Sequence, residues 1–142
     1  MEIYKYGDDQ ASIVLIQLVG EHDLSGIEQE IHEIQKLTEM KFQLIALKVN
    51  NWNHDLSPWN ADAVFGNEGF GDGAEKTLDE VLKLCADFNK TYCIGGYSMS
   101  GLFALWSAYQ TNRFAGVASA SPSIWFLDFL HYMKQQKIQT NC

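Results

Sequence analysis

A chain of 142 residues, 46% of them apolar and 13% aromatic, is long enough to bury one core and is not composed like a disordered or fibrous protein. Eighteen acids against ten bases give a net charge of −8, and no Lys/Arg cluster interrupts that balance, which argues against nucleic acid or an anionic membrane as partner. Cys85, Cys93 and Cys142 have no metal-ligand spacing and two of them fall in apolar periodic segments, so the cysteines read as reduced, no metal or cofactor is expected, and no signal peptide or membrane span is visible. These features together predict a cytoplasmic location.

In chain order, residues 2–6 alternate and predict a short strand, and residues 12–18 are nearly all apolar, as a central strand covered on both faces should be. Ser25 with Glu28 has the spacing of a capping box, and Ile27, Ile31, Ile34 and Leu37 share one face of a helix expected to run to about Met40. Phe42 to Val49 predicts another buried strand. It leads into the polar, aromatic loop Asn50-Asn51-Trp52-Asn53-His54-Asp55-Leu56-Ser57-Pro58-Trp59-Asn60, and four glycines follow up to Gly73, so this stretch should lie on the surface near a site mouth.

Asp72 and Glu75 are spaced to cap a helix whose inward face is Leu78, Val81, Leu82, Cys85 and Phe88. A strand over Thr91 to Gly95 follows, then a helix from Met99 to about Tyr109 that is apolar almost all round. Phe114 to Ala120 predicts one more strand, Ser121-Pro122-Ser123 a turn, and Ile124 to Lys137 a helix with Trp125, Phe126, Phe129, Leu130 and Met133 inward. Alternating strands and helices predict a three-layer α/β/α sandwich around a mainly parallel sheet.

The chemistry concentrates at Cys93-Ile94-Gly95-Gly96-Tyr97-Ser98-Met99-Ser100-Gly101, where a strand breaks at paired glycines, presents one serine and continues as a helix. A serine on such a turn is held in a strained conformation, and small residues two positions either side let strand and helix pass closely. Gly96 and Ser100 fill those places, although Ser100 departs from the Gly-x-Ser-x-Gly form. The spacing makes Ser98 the candidate nucleophile, with the Met99 N–H at the positive end of a helix facing a developing oxyanion.

With this turn, the loop Asp55 to Trp59, the stretch Phe65 to Ala74, and the run from Phe114 to Trp125 that ends in Ala-Ser-Pro-Ser-Ile-Trp, the sequence resembles the α/β-hydrolase superfamily. More narrowly it is similar to serine esterases related to esterase D and the enterochelin esterases. The resemblance implies a small-molecule ester or acyl substrate, an oxyanion hole from Met99 and the Gly20-Glu21 loop, and a substrate pocket lined by Trp52, His54, Trp59 and Tyr97. It also implies a single domain over residues 1–142 that lacks the C-terminal part of the fold. In this superfamily the acid and the histidine follow the serine in chain order, on loops after later strands. Neither is found here in that position.

Three His/Asp pairs are candidate substitutes: His131 with Asp128 on the last helix, His54 with Asp55 in the aromatic loop, and His22 with Asp23 after the first long strand. His32 faces solvent on its helix. The expected protein is a serine-esterase scaffold of little or no activity, with a non-catalytic binding or assembly protein as the alternative. A homodimer is expected through the sheet edge at residues 115–120 and the last helix.

Overall fold

Five segments assemble into one sheet, at whose middle two near-continuous aliphatic runs, residues 13–19 and 43–48, are largely buried. In the computed structural model, which describes residues 1–140, the five strands are β1 (Glu2–Gly7), β2 (Ile13–Val19), β3 (Gln43–Lys48), β4 (Thr91–Tyr97) and β5 (Phe114–Ala120). Their order across the sheet is β1-β3-β2-β4-β5. The β1/β3 pair is antiparallel and the other three pairs are parallel. The near-continuous apolar run of β2 does occupy the centre, where a parallel sheet demands cover on both faces.

Helices α1 (Ile27–Leu37), α2 (Trp52–Asp55), α3 (Ala74–Leu84), α4 (Met99–Gln110) and α5 (Phe129–Gln135) complete the fold. Ile27 and Ile31 of α1 pack on Val19, Leu44 and Ala46 on one face. On the other, Leu78 and Val81 of α3, Leu102 and Phe103 of α4 and Phe129 of α5 bury themselves on Val14, Ile16, Leu18 and Ile94. This is the predicted three-layer α/β/α arrangement. Each fully buried Leu, Ile or Phe contributes about 1.5–3 kcal/mol of apolar transfer free energy, so the second face dominates stability.

Several local expectations are corrected. The chain enters a 3-10 helix at Glu21–Gly26 before α1, and the Asp23 carboxylate, not Ser25, answers the free N–H at its start, accepting from Gly20 at 2.8 Å. Ser25 falls inside this 3-10 turn, and Gly26, the residue before α1, has no side-chain cap, so Ser25 and Glu28 make no capping box. The α1 helix stops at Leu37, which is exposed, as is Met40. Gly73 begins α3 without a side-chain cap, so Asp72 and Glu75 make no capping box. Phe88 lies past the end of α3, exposed, with the Arg113 guanidinium 4.5 Å above its ring.

The last helix begins at Phe129, not Ile124, because Asp128 takes a left-handed conformation, φ 61°, that interrupts helical hydrogen bonding. Phe126 and Phe129 are buried and Met133 packs on the same cluster, whereas Trp125 and Leu130 are exposed. Cys142 lies outside the described residues. No helix among the described residues is long and apolar enough to cross a membrane.

Candidate active site

Ser98 stands between β4 and α4 with φ 60° and ψ −120°, a conformation that L-residues avoid at a cost of about 1–3 kcal/mol. The flanking backbone holds it there. The Ser98 N–H donates to the Ala120 carbonyl at 3.1 Å, and its carbonyl accepts from Leu102 at 3.0 Å and from Ser123 at 3.1 Å. Close passage of strand and helix requires glycine at position 96, since a Cβ there would lie 2.5 Å from the Ser100 carbonyl carbon. Ser100 is itself fully buried, and its hydroxyl donates to the Leu18 carbonyl at 2.6 Å, so the departure from Gly-x-Ser-x-Gly is accommodated by a hydrogen bond to β2. Gly101 meets the second close approach, to Ser119 and Ala120 of β5.

The Met99 N–H is the first of α4, where no intrahelical acceptor exists and the helix dipole is positive. The Gly20 N–H, expected to give the second oxyanion donor, is engaged by Asp23. Glu21 pairs through its carboxylate with Lys48, which also reaches Glu2 at 3.4 Å.

The Ser98 hydroxyl has a partner that the sequence reading did not pair with it. Its Oγ lies 3.2 Å from Ser123 Oγ, and Ser123 is 2% exposed. The two serines are 25 positions apart, and only the β4/β5 register, with Tyr97 opposite Ala120, brings the turn after β5 alongside Ser98. Among the described residues no histidine hydrogen-bonds Ser98. His22 pairs with Asp23 at 3.4 Å, and its ring meets Trp52 edge-on. His54 Nδ1 is 3.3 Å from Asp55 and Nε2 3.8 Å from Asp72, with its ring against Gly71 and Gly73. His32 is exposed on α1 and His131 on α5.

The four predicted pocket residues fall into separate groups. Tyr97 is exposed in a cleft of about 640 Å³ floored by Leu15, Gly95 and Ala118 and flanked by His22, Asp23 and Glu30. Trp52 borders the Gly20 turn through His22. Trp59 instead donates its Nε1–H to the Leu127 carbonyl at 2.8 Å and packs on Phe126, Phe129 and Tyr132, anchoring the segment that follows Ser123. His54 closes the glycine-rich loop. Among the described residues no cluster of His, Cys, Asp or Glu has a metal-binding arrangement.

No family model matches the chain, and no curated protein matches it. Solved structures do. An IroE-like serine hydrolase from Shewanella oneidensis superposes with TM-score 0.74 and 19% identity, over 93% of this chain and 49% of that one. The siderophore hydrolase EstA from Aspergillus nidulans superposes with TM-score 0.63 and 17% identity, over 93% of this chain and 56% of that one. An uncharacterised protein from Capnocytophaga ochracea gives TM-score 0.53 and 15% identity, over 84% of this chain and 35% of that one. The chain therefore shares the α/β fold of these solved structures and spans about half the length of the first two.

Proposed function

We propose that the chain is a serine acyl-hydrolase scaffold in which Ser98 is the nucleophile of a nucleophile elbow. The single observation that carries the reading is the Ser98 backbone, φ 60° and ψ −120°, at a strand-to-helix turn directly ahead of the Met99 N–H. Ser98 Oγ attacks the carbonyl carbon of a small ester or related acyl substrate, the C–O double bond opens to an oxyanion, and the alcohol leaves as the acyl-enzyme forms. Met99 supplies one oxyanion donor. With the Gly20 N–H engaged by Asp23, the Glu21 N–H is the donor assigned to the neighbouring loop. Tyr97, next to Ser98 in the chain, and Trp52 border the substrate in this reading, while Trp59 and His54 order their loops.

The chain is one hydrolase-like unit; its structural neighbours are about twice its length, and the superfamily places acid and histidine after the serine. Among the described residues no histidine lies within hydrogen-bond reach of Ser98 Oγ to take its proton. Short p-nitrophenyl esters are expected to turn over negligibly, with Ser98→Ala leaving the residual rate unchanged. Robust Ser98-dependent turnover at neutral pH would contradict this and direct attention to His54→Ala. The buried Cys85 thiol and the acidic balance fit a reducing, cytoplasmic setting without nucleic acid or membrane partners.

A second reading, a non-catalytic binding or assembly protein, is favoured by one observation: β5 forms a sheet edge with no charged residue and no proline. In either reading we assign homodimerisation to this edge.

A further inference from the structure

The segment after β5 wraps Ser98 and is rigid without help from the Ser123 side chain. Ser121 has φ 42°, Ile124 N–H donates to the Pro122 carbonyl at 2.8 Å, and Phe126 N–H donates to the Ser123 carbonyl at 3.0 Å. The Ser123 N–H is fixed on the Ser98 carbonyl. Alanine would satisfy all these backbone contacts, yet the position carries a hydroxyl, almost wholly buried and aimed at Ser98 Oγ 3.2 Å away.

We infer that Ser123 is a positioning residue that holds the Ser98 hydroxyl in its attacking rotamer by donating a hydrogen bond to Ser98 Oγ; this rests on the reading of Ser98 as nucleophile. Among the described residues Ser98 Oγ is the only side-chain partner of Ser123 Oγ, so any other Ser98 rotamer leaves a buried hydroxyl without one. With Ser123 donating, a lone pair of Ser98 Oγ is occupied from the protein side and the Ser98 proton points outward, away from the core. On attack that proton leaves for a base or for water. Ser123 keeps its own proton throughout and gains strength as a donor while Oγ becomes more negative.

An alkyl fluorophosphonate tests this on the full chain. Ser98 Oγ forms a bond to phosphorus, the P–F bond breaks, fluoride departs and the serine proton passes to water, so the inactivation constant kinact and the binding constant KI are separable without turnover. Ser123→Ala should lower kinact roughly tenfold to a hundredfold with KI within about twofold, since orientation is lost and binding is not. Ser123→Thr, which keeps the hydroxyl, should restore most of kinact, and thermal unfolding of both variants checks that each is folded.

If Ser123→Ala is labelled at the wild-type kinact, Ser123 has no positioning role although Ser98 remains the nucleophile. If only KI changes, or kinact follows the loss of thermal stability in both variants, its role is structural and the inference is overturned. Absence of any Ser98 labelling in the wild type removes the nucleophile reading, and this inference with it.

Discussion

At Gly96 the fold tolerates no side chain, because a Cβ would meet the Ser100 hydroxyl and, behind it, the Ser100 backbone carbonyl carbon and oxygen at 2.5 and 2.6 Å, which cannot swing aside. Gly96→Ala should therefore destabilise by about 1–3 kcal/mol and displace Ser98, visible as a lower urea midpoint together with slower fluorophosphonate labelling. Cys85 gives a second residue-scale expectation. Burial pushes its thiol up to about 11, against a smaller opposing pull from Arg113, and Sγ donates to the Val81 carbonyl at 3.4 Å. A raised folded-state value means that the thiol contributes stability below its unfolded value near 9, which is lost as pH rises through about 11. Wild type should lose roughly 2–3 kcal/mol across that window by urea unfolding, and Cys85→Ala should lose correspondingly less over the same pH range. Equal alkaline losses in the two proteins would show that the thiol titrates normally.

The strands were legible because an aliphatic run bounded by Gly, Asp or Asn leaves few alternatives, and the central place of β2 followed from its lack of alternation. Helix starts were less so: the 3-10 turn that Asp23 closes on the Gly20 N–H takes in Ser25, so Ser25 and Glu28 do not flank the start of a helix. Nor could the interruption at Asp128 be read from aromatic spacing that suits a helix on either side of it. The turn around Ser98 was visible in its glycines, while the Ser123 contact depends on the register of two parallel strands and has no local signature. Trp59 is the element-scale lever. It ties the 50–73 loop to the segment leading into α5 through Leu127, Phe126 and Phe129. Trp59→Ala should cost about 3–5 kcal/mol, and amide exchange should quicken first in α5 while β2 and β3 stay protected.

Over the whole molecule the two sheet edges differ. β1 carries Glu2 and Lys5, whereas β5, Phe-Ala-Gly-Val-Ala-Ser-Ala, carries no charge, and on the α1 side its Ala118 and Ala120 line an open cleft. Natural edges are guarded by charge, proline or cover, so β5 is suited to receive another strand. Sedimentation at micromolar concentration should show a dimer that Ala118→Lys converts to monomer; a wild-type monomer would contradict the proposed association. The fold and the placement of Ser98 matter more than oligomeric state for what the chain can do. Intact-mass analysis after fluorophosphonate treatment, followed by peptide mapping, tests that placement most directly. The account predicts one slow, stoichiometric adduct on the Ser98 peptide and none in Ser98→Ala, while an unlabelled wild-type protein, or an adduct that persists in Ser98→Ala, would contradict it.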